Sequence, residues 1–402
     1  MLIYFKTKNF SCFKDEAKIS LKPGRVSERF EDNVTIVNKN LKLSKISVIA
    51  GENAGGKTSF ILALDFLRNM IKGNIGRALS VFSYNFDNKI PQEFEICVAI
   101  EDIIYTYFVK VDNFSVIEEN LNIRKVNQNE KYNKKVFSKK RISIETKKEG
   151  KISVITATSE EYANISYIPK EYNEIKSKFN NNSKLLINVF DALNVEVVKP
   201  FVSWIRNKLI IDIPKNYHLS KFEELEENEY NLEIILNDSF LDIFRLVDQS
   251  IINIKVDEKE PFKDTIIIRE RFDGSTLETK LEDDSTGVRD FFKKSILIWK
   301  VINRDVTLFA DEMDKVLNVV LASKILSYIK GTEHKGQFIF STHNAFHLNT
   351  IDFMKEQIFF IDKNIDTLSS EIYSLGDFKE YRYSQPDVYN LYLRGLFGAV
   401  TK

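Results

Sequence analysis

Residues 49–60, "IAGENAGGKTSF", decide how this chain is read. An apolar run that reads as a strand enters a glycine-rich turn and leaves as the start of a helix. Gly51, Gly56, Lys57 and Thr58 satisfy the spacing G-x-x-x-x-G-K-[ST]. Glycine permits the backbone angles that aim successive N–H groups at one point, and without a Cβ nothing blocks an anion there. The helix that follows adds its positive end. The turn is therefore expected to cradle a nucleotide through Gly51, Asn53, Gly55, Gly56, Lys57, Thr58 and Ser59. Lys57 is expected to bridge the β- and γ-phosphates of ATP, and the Thr58 hydroxyl to ligate Mg²⁺.

Two later segments complete such a site. "VTLFADEMD" (306–314) is an apolar strand ending in Asp311 and Glu312. A carboxylate at the C-terminal end of a buried strand can hold the magnesium shell, which assigns Asp311 as the metal residue. Its neighbour Glu312 is placed to polarise the attacking water as general base. "QFIFSTHN" (337–344) is a further buried strand ending in a polar cluster. His343 there can donate or accept a hydrogen bond, and is expected to contact the γ-phosphate.

Composition narrows the alternatives. In 402 residues, 58 basic side chains balance 58 acidic ones, so no global field favours nucleic acid or an anionic membrane. Cys12 and Cys97 are too far apart in sequence to suggest a metal or disulfide pattern, and His218, His334, His343 and His347 give no zinc spacing. No apolar run reaches membrane-spanning length, and no basic flank precedes a long apolar core at the start. These features predict a cytoplasmic protein with no membrane partner.

Periodicity organises the rest. Residues 1–158 read as strands around one helix, 159–250 as mostly helical, and 251–402 as strands and helices again. "FEICVAIEDIIYTYFVKV" reads as a hairpin around Glu101 and Asp102, and a second hairpin is expected to turn at Glu149 and Gly150. No repeat, linker or sustained heptad interrupts this pattern. The expectation is a split nucleotide-binding domain with a helical lid between its lobes. Residues 124–151 carry eleven basic and three acidic side chains, which suit either a nucleic-acid surface or a ribbon kept soluble by lysine.

The three nucleotide segments, in this order, resemble the Walker A, Walker B and switch-histidine motifs of ABC-type ATPase heads of the SMC-like, RecF-like and OLD-like class. The opening "YFKTKNFSCFKD" is similar to the first strand of such heads, with Ser11 where many carry arginine. "EDDSTGVRDFF" (282–292) is similar to their signature motif and puts Ser285 and Gly287 at its serine and second glycine. The resemblance implies that Ser285 and Gly287 serve the ATP held by a second subunit, giving a homodimer or higher oligomer, with Asp314 in the D-loop at the same interface. No glutamine is assigned to the Q-loop, because Gln92 falls in an apparent turn.

"QIFFIDKN" and "LYLRGLFGAV" resemble the tail of small stand-alone ABC ATPases of bacterial phage-defence loci, RloA-like and abortive-infection ATPases among them. What this implies is an α/β fold, an ABC-type P-loop head with an antiparallel lobe. Its activity would be ATP hydrolysis that gates or senses for an effector protein encoded nearby. About sixty residues follow His343, too few for an appended nuclease domain, so no cleavage activity is expected. The alternative is a RecF-like or SMC-like DNA-binding ATPase of repair or maintenance.

Overall fold

The computed structural model describes residues 1–73, 83–84, 90–112, 115–148, 151–162, 172, 184–213, 231–313, 318–348, 350–379, 381 and 388–398, with backbone alone for 143–148, 151–158 and 162. Its centre is a sheet of six strands in the order β11-β15-β16-β5-β17-β18. These are β5 (Ile46–Gly51), β11 (Leu209–Asp212), β15 (Thr307–Ala310), β16 (Gln337–Thr342), β17 (Ile358–Lys363) and β18 (Ser370–Ser374). All pair in parallel except β17 with β18. Every residue of β5, β15 and β16 is buried, as continuous apolar runs in a sheet covered on both faces require.

Alternation along these strands feeds two cores. Ile49, Phe309, Ile339 and Phe359 point to one face, and Val48, Leu308, Phe338 and Phe360 to the other. Against the first face lies α1 (Lys57–Ile71), all of whose residues except Thr58 and Ser59 are buried. A helix apolar around most of its circumference has to be enclosed on both sides. The second cover is a seven-stranded antiparallel sheet in the order β10-β9-β8-β7-β6-β1-β2. It comprises β1 (Leu2–Lys8), β2 (Ala17–Ser20), β6 (Gln92–Ile100), β7 (Ile103–Val111), β8 (Val116–Lys125), β9 (Lys134–Lys148) and β10 (Lys151–Tyr162). The β6–β7 hairpin turns at Glu101 and Asp102, as the sequence predicts; the Glu149–Gly150 turn lies outside the described residues. A small ribbon of β3 (Val34–Asn38) and β4 (Leu41–Ser44) flanks this lobe.

The other face of the parallel sheet carries α4 (Asp238–Phe244), α5 (Thr286–Asn303) and α6 (Val319–Gly331), with Phe240 and Phe244 set edge-on against Phe292. A three-stranded sheet, β12 (Ile251–Lys255), β13 (Ile266–Glu270) and β14 (Thr276–Lys280), precedes α5. The expected helical span 159–250 contributes α2 (Leu186–Ala192) and α3 (Lys199–Asn207), which share the core of α1 and the antiparallel sheet. It also contributes β11, a strand of the central sheet that helical periodicity does not anticipate. Buried Glu119 of β8 docks α2: its carboxyl accepts the N–H groups of Leu186 (2.6 Å) and Ile187 (2.9 Å) and the Tyr107 hydroxyl (3.0 Å). Burial pushes this carboxyl above its ordinary range.

One side chain joins the two lobes. Gln337, fully buried at the start of β16, accepts from Leu2 N–H (2.6 Å) and from the Thr307 hydroxyl (2.9 Å). Its amide donates to the carbonyls of Leu2 (3.0 Å) and Ser44 (3.2 Å). Replacing Gln337 by leucine should therefore strand four polar groups at once. At roughly 1–3 kcal/mol per unsatisfied group, a loss on the order of 3 kcal/mol or more is expected in urea unfolding. An unchanged midpoint would show that the lobes hold together without it.

Candidate nucleotide site

The parallel strands end on one edge of the sheet, and the candidate residues gather there. The turn after β5 needs glycine at two points. Gly51 has φ +156°, and a Cβ on it would lie 2.5 Å from the Ile361 carbonyl. Gly56 has φ +120°, and its Cβ would lie 2.5 Å from the Cys12 sulfur. Substitution at either would force backbone or packing to move. The loop is held from outside as well: the Ser370 hydroxyl donates to the Gly55 carbonyl at 2.6 Å, and the Ser370 N–H to Cys12 O at 2.8 Å. Ser11, with φ +52°, hydrogen-bonds through its hydroxyl to that of Ser59 at 3.0 Å. Asn53 is exposed at the loop's tip.

Lys57 is buried, and its ammonium donates to the carbonyls of Gly51 (2.7 Å) and Glu52 (2.8 Å). It also lies 3.0 Å from Nδ1 of His343. An ammonium can only donate, so Nδ1 accepts and a neutral ring carries its proton on Nε2. The structure thus brings His343, 286 residues away in sequence, onto the loop lysine.

A second network runs through Asp311, which is buried at the end of β15. Its Oδ2 accepts from the Thr58 hydroxyl at 2.6 Å and its Oδ1 from the Ser341 hydroxyl at 2.5 Å. Ser341 in turn accepts the Glu312 N–H at 2.9 Å, and Glu312 takes φ +54°, an uncommon angle for a residue with a Cβ. Ser341 therefore fixes both carboxylate residues: it orients Asp311 directly and the peptide that aims Glu312. A hydroxyl and a carboxylate within 2.6 Å form an all-oxygen donor pair, which suits a hard cation such as magnesium, and the glycine-rich loop suits phosphate.

Ser285 and Gly287 stand apart. Ser285 caps α5, accepting from Val288 N–H at 3.4 Å, and its own N–H goes to Asp284 at 2.8 Å. A Cβ on Gly287 would meet nothing within 4 Å. Among the described residues, no hydrogen bond or ion pair joins either to the Lys57–Asp311 cluster, and Asp314 lies outside them. The segment before Ser285 is pinned by Arg269, paired with Asp248 at 2.8 Å and Asp284 at 2.6 Å. Burial opposes the charge on Asp248, but the hydrogen bonds from Arg269 and Ser250 and the Arg269 charge together outweigh it and leave the Asp248 carboxyl below its ordinary range.

Gln92, expected in a turn, is the buried first residue of β6. The tail packs on the central sheet: in α7 (Val388–Leu393), Tyr392 stacks on Phe360 of β17. Burial, then the charges of Glu52 and Asp362, push its phenol up to about 12. In the basic ribbon, Arg124 bonds to Asn133 (3.0 Å), Lys135 to Glu161 (2.6 Å), Lys139 to the Lys184 carbonyl (3.2 Å) and Arg141 to Asp112 (2.7 Å).

Residues 46–349 match the family described as "AAA domain, putative AbiEii toxin, Type IV TA system". No curated protein matches the chain. Among solved structures it is similar to the SMC head domain from Thermotoga maritima, at 12% identity and TM-score 0.43, covering 93% of this chain and 98% of that one. An SMC head bound to the C-terminal winged-helix domain of ScpA gives 12% and 0.46, covering 93% and 97%. An SMC head with an extended coiled coil bound to the C-terminal domain of ScpA, derived from Pyrococcus furiosus, gives 13% and 0.43, covering 93% and 96%.

Ser341 was not singled out from the sequence, although the polar end of "QFIFSTHN" marks its place. Ser341→Ala should leave the fold intact by circular dichroism and, where the site hydrolyses ATP with magnesium held at Asp311, lower that turnover by about 10–100-fold, the usual effect of removing a partner that orients a metal-binding carboxylate. Wild-type turnover in this variant would deny Ser341 any part in placing Asp311 and Glu312.

Proposed function

We propose that this chain, which belongs to the AAA-domain family matched across residues 46–349, binds and hydrolyses ATP at the Lys57–Asp311 cluster and uses the cycle to gate a partner. The observation that carries the reading is the convergence of Lys57, Thr58, Asp311, Glu312, Ser341 and His343 through bonds of 2.5–3.0 Å. In this reading the loop N–H groups and Lys57 hold the β- and γ-phosphates, while Thr58 and Asp311 hold magnesium. The bound cation supplies charge neutralisation at the transferring phosphate. Glu312 accepts the proton of the attacking water, and His343, already beside Lys57, contacts the γ-phosphate.

Two heads would pair head to tail, with Ser285 and Gly287 of each closing on the other's ATP. Their exposed position at the start of α5 supports this, since among the described residues no hydrogen bond joins them to the loop of their own chain. The effector would be a separate polypeptide. The family's description, which names a toxin–antitoxin system, supports a place in bacterial defence. Arg124, Lys135, Lys139 and Arg141 are held in internal bonds, which leaves the alternative of DNA-directed repair with less support.

Lys57→Ala should abolish nucleotide binding, measured with a fluorescent ATP analogue. Glu312→Gln should keep binding and lose roughly 100-fold or more of turnover. Hydrolysis by Glu312→Gln at the wild-type rate would remove Glu312 from the mechanism. The paired arrangement is tested by mixing Ser285→Arg with Lys57→Ala. Each alone should be inactive, and together they form one site with Lys57 from one chain and Ser285 from the other. Recovery of ATPase activity is expected, and its absence would argue against sharing between subunits.

A further inference from the structure

The central sheet and helix α5 meet at a contact that apolar packing does not explain. Asp212 is the last residue of β11 and sits opposite Ala310 of β15. Its carbonyl accepts the Asp311 N–H at 2.8 Å, so its backbone abuts the residue that bonds Thr58. Its carboxylate pairs with Lys294 of α5, and both side chains are about three-quarters buried. Lys294 lies nine residues after Ser285, about 13 Å along the same helix at 1.5 Å per residue.

Most other contacts of α5 with its neighbours run through Phe291, Phe292, Ile296, Ile298 and similar side chains. Apolar packing of that kind is non-directional and tolerates small shifts of a helix along its neighbours. The Lys294–Asp212 pair is directional, and it ends on the residue bonded to Asp311. β11 itself is four residues long and sits at the end of the described strand order, with β15 its one neighbour there.

We propose that Asp212 and Lys294 form a positioning pair that couples the nucleotide site of one chain to the placement of its own Ser285. A displacement at Asp311, as when its Thr58 contact is exchanged for a cation, passes through the Asp212 peptide to Lys294 and so to the start of α5. The nucleotide state of one half-site thereby sets the helix that completes the other. The inference rests on the reading in which Ser285 acts on the partner's ATP. Neither residue touches nucleotide, so both act through others.

The test uses two mixtures of full-length chains. The reference mixes Ser285→Arg with Glu312→Gln, so that the chain supplying Ser285 still binds ATP at its own site but does not turn it over. The second mixes Ser285→Arg with the double variant Glu312→Gln/Lys294→Met, whose Ser285 is intact but whose α5 is released from Asp212. The expected result is turnover in the second mixture about tenfold below the reference, within the range common for coupling between sites. Lys294→Arg in place of Lys294→Met should restore it, because the charge returns, and Asp212→Asn should reproduce the loss. Fluorescent ATP binding to the Lys294→Met chain alone should match wild type within about twofold, which a merely misfolded chain would not do.

An inactive reference mixture overturns the trans reading and the coupling with it. An active reference with an equally active second mixture overturns the coupling alone. Loss of ATP binding by the Lys294→Met and Lys294→Arg chains alike would also overturn it, reducing Lys294 to a structural residue.

Discussion

A strand buried on both faces has nowhere along its length to put a charge. β5 runs between β16 and β17 with all six residues enclosed, and β15 and β16 are enclosed in the same way. The polar groups that these strands deliver must therefore appear at their ends, and parallel pairing puts those ends on one edge. Lys57, Asp311, Glu312, Ser341 and His343 are gathered there for that reason. Two covers maintain the burial: α1 with the antiparallel lobe on one side, and α4 to α6 on the other. Gln337 keeps the first cover in place with four hydrogen bonds that only a side chain with both a donor and an acceptor end could make.

The site is small because few groups serve it, and each does more than one thing. Ser341 donates to Asp311 while it accepts from the peptide of Glu312, which uses both capacities of one hydroxyl. Ser370 holds the loop through its side chain and the 9–15 turn through its backbone. Positive φ angles at Ser11, Ala54 and Glu312 fall around the same edge. Such angles are costly for residues with a Cβ and persist where the surrounding bonds over-determine them, which is the condition met here.

What the sequence discloses about this arrangement follows the range of the interactions. The glycine loop, its lysine and the Asp311–Glu312 pair are legible because each is set by neighbours in the chain: glycine angles, an apolar strand, a helix start. Ser341 and Asp212 are not legible, because Ser341 meets Asp311 across 30 residues and Asp212 meets Lys294 across 82. β11 is hard to read for a related reason: "LIID" is too short to show a period and follows directly on α3. Gln92 reads as a turn residue beside Pro91, yet pairing with Val111 draws it into β6. The lysine-rich ribbon is legible as composition, but which of its charges are already spoken for depends on partners such as Asp112 and Glu161 that its own pattern does not reveal.

The order of synthesis gives the Gln337 contact another meaning. The side chain that receives the Leu2 N–H is made 335 residues after Leu2 itself. β5 waits as long, since its flanking strands begin at Gln337 and Ile358. Until then an apolar strand and the glycine loop behind it have no sheet to belong to, and loop closures of that length are slow. A partly made chain thus exposes two unpaired strand edges, the kind of surface that invites aggregation and holdase chaperones. The same delay means that Thr58 cannot find Asp311, nor Lys57 find His343, until residues more than 250 positions further along have been made. A truncated product of this gene would carry the phosphate loop without the fold that arms it.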